Sequence, residues 1–275
     1  MQLVPHSTVK LNNGVEIPHL GLGVYQSPPG KTTQDAVTYA LECGYRLVDT
    51  ARIYGNQGDV GMIVRESGLA RDQVFVTTKL WNSDHGYDPT IRACEESLRR
   101  LGLSYLDLYL IHWPVPGARK ETWKAMTQLV KDGKCRAIGV SNYATRHLEE
   151  LLANSDVVPA VNQVEFHPFL YQRELLEYCQ RHQIQLEAYS PLTRGERLNH
   201  PTVLDVAKRH GRAPAQVLIR WSLQHSVVAI PKSVRKERIL ENSRVFDFVL
   251  TADDMKVLDS LNEDFRTCWD PTGLA

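Results

Sequence analysis

Several things are missing from this 275-residue chain, and each absence removes a class of protein. It has no surplus of either charge: Lys+Arg and Asp+Glu both number 32. That argues against a nucleic-acid footprint or a strongly acidic partner. No apolar run reaches membrane-spanning length, and the first residues, MQLVPHSTVK, lack the basic-then-apolar pattern of a secretory signal. Its five cysteines (Cys43, Cys94, Cys135, Cys179 and Cys268) are odd in number and widely spaced, with no CxxC pair. They read as reduced thiols rather than a disulfide framework or a zinc ribbon. No ligand-spaced His, Cys or carboxylate cluster stands out, so no metal is expected. These absences lead to the expectation of a soluble, cytoplasmic monomer that binds neither membrane nor nucleic acid, with residues 1–275 forming one domain.

What is present is a regular alternation. Thr8–Leu11 and Val15–Ile17 flank Asn12-Asn13-Gly14 and predict a β-hairpin. Leu20–Val24 reads as a first buried strand, followed by a helix that Thr32 or Thr33 can cap. Apolar runs at Gly44–Val48, Val74–Thr78, Tyr105–Ile111, Ala137–Val140, Ala160–Glu165, Ile184–Tyr189 and Val227–Ile230 then alternate with amphipathic segments. Strands alternating with helices imply parallel pairing with right-handed crossovers. Eight such strands are the number that closes a barrel. An open doubly wound sheet would normally carry GxGxxG after its first strand, and the run from Gly21 lacks the third glycine. The expected fold is therefore a (β/α)8 barrel of the TIM type, with the N-terminal hairpin closing its bottom.

In such a barrel the chemistry sits at the C-terminal strand ends. Here these ends carry Asp49, Lys79, His112, Ser141-Asn142, Gln163, Tyr189 and Lys232, with Tyr54 on the loop after Asp49. Any one of them taken alone reads as a structural ion pair, a core packing residue or a loop anchor. The set is the signal. An ammonium beside a phenol favours the phenolate, so Lys79 is expected to lower the pKa of Tyr54 towards a usable acid, with Asp49 holding Lys79 in place.

Five segments carry a resemblance to the aldo-keto reductase family: GYRLVDTARIYGN (44–56), VTTKLW (76–81), DLYLIHWP (107–114), GVSNY (139–143) and IPKS (230–233). The resemblance spans essentially the whole chain, and each segment falls on a predicted strand end. It implies NADPH-dependent reduction of aldehydes and ketones. Tyr54 would be the proton donor, Asp49 and Lys79 its tuners, and His112 the group that orients substrate. It assigns Ser141, Asn142 and Gln163 to the nicotinamide carboxamide, Tyr189 to stacking on the ring, and Ser190 and Leu192 to the pyrophosphate. Lys232, Ser233 and Arg238 would take the 2′-phosphate, Glu241 with Asn242 the adenine, and Val234 would be a further cofactor contact. Tyr25, Trp81, His112 and Trp113 would line the substrate pocket, with Trp269 near them.

Compact members of the family reduce small carbonyls such as methylglyoxal. A keto-sugar acid such as 2,5-diketo-gluconate is the alternative substrate. A regulatory subunit that binds NADPH without turnover, and a metal-dependent barrel hydrolase, are the alternatives of other classes. Two positions depart from the family pattern. Gln57 stands where Glu is usual and is expected to begin a helix. Arg52 stands where a small residue is common, either exposed or facing the pocket to favour anionic or polyhydroxylated substrates.

Overall fold

A computed structural model describes residues 4–274. The chain opens with two short antiparallel strands, β1 (Thr8–Lys10) and β2 (Glu16–Pro18). The turn between them closes through Leu11 N donating to Val15 O, with Gly14 at φ 87°. That left-handed conformation suits a residue without a Cβ. Then follow β3 (Leu22–Gly23), α1 (Lys31–Glu42), β4 (Leu47–Asp49), α2 (Gln57–Glu66), β5 (Phe75–Leu80), α3 (Tyr87–Leu101), β6 (Leu106–Ile111) and α4 (Arg119–Lys131). Next come β7 (Cys135–Ser141), α5 (Thr145–Ala153), β8 (Val161–Glu165), α6 (Arg173–Arg181) and β9 (Gln185–Tyr189). The last elements are α7 (Pro201–His210), α8 (Pro214–Gln224), β10 (Val228–Ala229), α9 (Lys236–Ser243) and α10 (Ala252–Asp259).

Strands β3 to β10 form one parallel sheet in sequence order. The sheet closes on itself. Leu20 bridges to Ala229 and Gly23 to Lys232, and Gly21 N donates to Ala229 O at 2.9 Å. Gly23 has no room for a side chain at this seam, since a Cβ there would lie 2.8 Å from Ile230 O. This is the expected (β/α)8 barrel.

Strand periodicity sorts the side chains into two layers. Val48, Val76, Tyr109, Ile111 and Val140 face outward into the helix-covered core. Leu47, Phe75, Leu108, Leu110, Val161 and Val228 face the barrel axis. Leu11 and Ile17 of the hairpin belong to that axial cluster. The turn is fastened by Asn12 to Pro159 O and by Asn13 to Arg136 O, each at 3.0 Å. The hairpin therefore closes the bottom of the barrel as expected.

Local signals hold less well at helix starts. Thr33 does not cap α1: its Oγ1 donates to Pro28 O at 2.7 Å and so binds the preceding loop, while Gly30 occupies the cap position. Helix α3 likewise begins behind a glycine, Gly86, with no side-chain cap. Prolines at the first helical positions, Pro201 and Pro214, do start α7 and α8.

Candidate active site

Alternation along each strand leaves the lower barrel axis apolar and turns polar side chains inward nearer the top. Two residues beyond the inward Leu47 comes Asp49, and four beyond Phe75 comes Lys79, both buried. They form an ion pair, with Lys79 Nζ donating to Asp49 Oδ1 at 2.6 Å and to Thr50 O at 3.1 Å. The same ammonium lies 3.4 Å from the Tyr54 hydroxyl and 5.1 Å from the centre of its ring.

Tyr54 is delivered by a short 3-10 turn, Arg52–Tyr54, which ends on Gly55 at φ 73°. Buried Asn56 clamps this loop. Its Oδ1 accepts from Thr50 Oγ1 at 2.8 Å, and its Nδ2 donates to Val24 O at 3.0 Å and Ser27 O at 3.2 Å. His112, directly after β6, puts its ring 5.8 Å from that of Tyr54 and edge-on to it. Its Nδ1 is buried with no partner among the described residues.

The electrostatics depart from the expectation drawn from the sequence. Burial, followed by the negative charge of Asp49, pushes the Tyr54 phenol well above its ordinary value. Lys79 does not reverse this, because Asp49 sits closer to the ammonium than Tyr54 does and cancels most of its field. Tyr54 is thus held protonated, with its oxygen accepting from Lys79 and its own proton free to be given. His112 is held well below its usual range, by burial first and then by Lys79. It is a neutral imidazole, with one ring N–H to offer a developing oxyanion.

The residues assigned to the carboxamide are also brought together, but their donors are engaged by the protein. Ser141 Oγ donates to Gln163 O at 2.8 Å. Asn142, at φ 63°, donates to His112 O at 2.9 Å and accepts from the Tyr189 hydroxyl at 2.8 Å. Gln163 Nε2 donates to both Asp49 Oδ2 and Glu187 Oε2 at 2.9 Å, which leaves the amide oxygen for a ligand donor.

Ser190 and Leu192, both half-buried, follow Tyr189 in a loop with positive φ at Ser190, Thr193 and Arg194. Lys232, Ser233 and Val234 follow β10, and Ser233 Oγ accepts from Arg235 N at 3.1 Å at the entry to α9. Arg238, Glu241 and Asn242 are spaced three and four apart on that helix and so share a face. Neither Lys232 nor Arg238 forms a salt bridge with another described residue. Two uncommitted cations and a hydroxyl near a helix start fit a phosphate group.

Aromatic rings gather around Tyr54 and His112. The Tyr25 ring lies 4.9 Å from that of Tyr54, the Trp81 ring 5.3 Å from that of His112, and Trp113 packs at 5.9 Å on Trp269. Tyr25 is 45% exposed and Trp269 75% exposed, so the mouth is open. Arg52 is tied to Asp84 by a salt bridge at the rim. Gln57 opens α2 and donates to Thr78 Oγ1 at 2.8 Å, a structural contact.

Two carboxylates were given no role by sequence reasoning. Glu187 lies on the barrel axis behind Gln163. Glu165 accepts from Thr267 N at 2.7 Å, Thr267 Oγ1 at 2.5 Å, Cys268 N at 3.1 Å and His167, and so fastens the C-terminal tail beside the site. The inward phase of both was readable from strand periodicity, but their partners come from distant segments. Among the described residues no group of three His, Cys, Asp or Glu is arranged to hold a metal.

Residues 19–263 match a family profile described as the aldo/keto reductase family. The chain is 52% identical over 267 residues to a glyoxal reductase of Bacillus subtilis, covering 97% of each. It is 50% identical over 269 residues to a 9,11-endoperoxide prostaglandin H2 reductase of Trypanosoma cruzi, covering 97% of this chain and 95% of the other. A crystal structure of a Gox0644 mutant in complex with NADPH superposes with a TM-score of 0.93 at 44% identity and 98% coverage of both chains.

Proposed function

Because this chain belongs to the aldo/keto reductase family, we propose that it reduces aldehydes and ketones to alcohols with NADPH, and that small α-oxoaldehydes such as methylglyoxal are its preferred substrates. The observation that carries this reading is the buried relay Asp49–Lys79–Tyr54 with neutral His112 beside it.

Reducing a carbonyl needs a hydride at carbon and a proton at oxygen. NADPH, when bound, supplies the hydride that no side chain can. Lys232, Ser233 and Arg238 would hold its 2′-phosphate. The Gln163 amide oxygen would accept from its carboxamide, and Tyr189 would back the ring.

The carbonyl oxygen sits between Tyr54 and His112, which donate to it as negative charge develops. The Tyr54 O–H bond breaks and the alcohol O–H bond forms, leaving a phenolate that faces the Lys79 ammonium. A pKa raised in the resting state keeps the proton on Tyr54 until the substrate oxygen becomes basic enough to take it. Solvent then restores the proton through the open mouth.

Two facts favour small neutral substrates over keto-sugar acids. One is the 52% identical relative named for glyoxal. The other is Arg52, whose cation is already neutralised by Asp84. The test is NADPH oxidation with methylglyoxal, an aromatic aldehyde and a keto-gluconate side by side. Methylglyoxal should give the highest kcat/KM, and Tyr54→Phe should lower turnover at least about 100-fold. No turnover with any carbonyl, or a Tyr54→Phe variant as fast as the parent, would end this reading.

A further inference from the structure

Glu187 plays no part in the scheme above, yet it is wholly buried on the barrel axis. Strand β9 sets it in register with Gln163 of β8 and Val228 of β10. Its Oε2 accepts from Gln163 Nε2, and its Oε1 is buried with no partner among the described residues. The same Gln163 nitrogen reaches Asp49, so an unbroken chain runs from Glu187 through Gln163 and Asp49 to Lys79 and Tyr54, at 2.9, 2.9, 2.6 and 3.4 Å. A buried carboxyl with an unsatisfied oxygen is destabilising. The axial positions lower in the barrel are apolar, so packing alone does not call for a glutamate here.

We propose that Glu187 is a positioning residue for the reduction: it aims the Gln163 amide so that its nitrogen holds Asp49 on Lys79 and its oxygen faces the cofactor, and its own charge acts along the chain on Tyr54. This rests on the reductase reading given above.

The sign of the effect follows from the order of charges. Donation leaves a phenolate at Tyr54, and a second negative charge behind Asp49 opposes it. A neutral Glu187 therefore permits donation and an ionised one slows it. Burial is the largest influence on its carboxyl. Asp49 of β4 adds to it, while the Gln163 hydrogen bond and Lys79 of β5 oppose it, and the outcome is a pKa pushed up to about 8. Strand β10 contributes only apolar Val228 at this level. Glu187 thus changes charge within the range over which turnover can be measured.

Two independent readouts test this. The first is the pH profile of kcat for the wild type, Glu187→Gln and Glu187→Ala, with NADPH binding and thermal melting as checks of the fold. Wild-type kcat should fall above about pH 8, and the fall should begin at least about one unit higher in Glu187→Gln, which keeps the hydrogen bond and cannot ionise. Glu187→Ala should lose about 10-fold or more in kcat, with KM changed less than about twofold. An unchanged profile in Glu187→Gln, or full kcat in a folded Glu187→Ala, overturns the inference.

The second is carbon NMR of glutamate labelled at the carboxyl. One resonance should titrate at about pH 8, be absent from Glu187→Gln, and move to lower pH in Asp49→Asn. No such resonance, or one indifferent to Asp49→Asn, also overturns it. If the wild type reduces no carbonyl, the reductase reading fails and the NMR result still decides the linkage. If turnover is present and both readouts are flat, only the Glu187 inference falls.

Discussion

Tyr54, the proposed acid, has a raised pKa, and the neighbouring residues account for that combination. Its proton is retained by burial and by Asp49, and the Lys79 ammonium is close enough to receive the phenolate once it forms. Replacing Lys79 by Met removes that counter-charge and leaves the Asp49 carboxylate in the interior without its cation. We expect kcat to fall about 100-fold or more and stability to drop by about 3 kcal/mol, read by steady-state kinetics and denaturant melts. Asn56 acts at the same scale without touching substrate. Asn56→Ala removes three buried hydrogen bonds from the loop that carries Tyr54. It should cost about 2–3 kcal/mol and lower kcat more than it raises KM. Glu187 has a stability signature too. Between its ordinary 4.5 and about 8 the folded chain keeps a proton that the unfolded chain has released. Native stability therefore falls as pH rises through that window. Glu187→Gln removes this slope, so the variant should gain on the order of a few kcal/mol over the wild type at about pH 8 and little at about pH 4, in parallel melts.

The helices matter here chiefly for how closely they let the barrel be wrapped. Helix α2 meets the end of α3 at Gly61, where a Cβ would lie 1.9 Å from Leu101 O. Backbone at that distance cannot yield as a side chain can, so Gly61→Ala should destabilise by roughly 3 kcal/mol or more. Gly58→Ala, one turn earlier, meets nothing nearer than 3.8 Å and should be close to neutral. Denaturant melts of the pair make the comparison. The same principle explains where local signals failed. Thr33 is a good cap by type, but its hydroxyl finds buried loop acceptors at Ser27 and Pro28 and takes those. Glycines at Gly30 and Gly86 begin α1 and α3 at positive φ. A capping rule based on side-chain oxygens has no way to anticipate that.

Over the whole molecule, the closed barrel brings residues far apart in sequence to one rim, and each strand contributes one or two of them. Lys232 and Arg238 lie at the far end of the chain from Asp49 and Tyr54, so the proposed phosphate site and the proposed proton donor can be perturbed separately. Lys232→Ala and Arg238→Ala should each weaken NADPH binding about 10-fold, with NADH binding and the rate at saturating NADPH nearly unchanged, as measured by fluorescence titration. The wild-type preference for NADPH should also shrink as salt is raised.

The order of strands and the strand-end positions of Asp49, Lys79, His112 and Gln163 were legible in the sequence alone, and the resemblance it carries named the candidate tetrad. The reason is that side chains alternate along a strand and chemistry gathers at the C-terminal strand ends, so position in the chain already gives face and height. Tertiary structure decided what those groups are. The direction of the Tyr54 pKa, the engagement of Gln163 by two carboxylates, the neutralising of Arg52 by Asp84 and the fastening of the tail by Glu165 all depend on partners brought in by closure. The Gln163–Asp49 bond spans 114 residues. A hydrogen bond or the loss of hydration on burial depends on separations of a few ångströms, and no local pattern in the chain encodes a distance across the barrel axis.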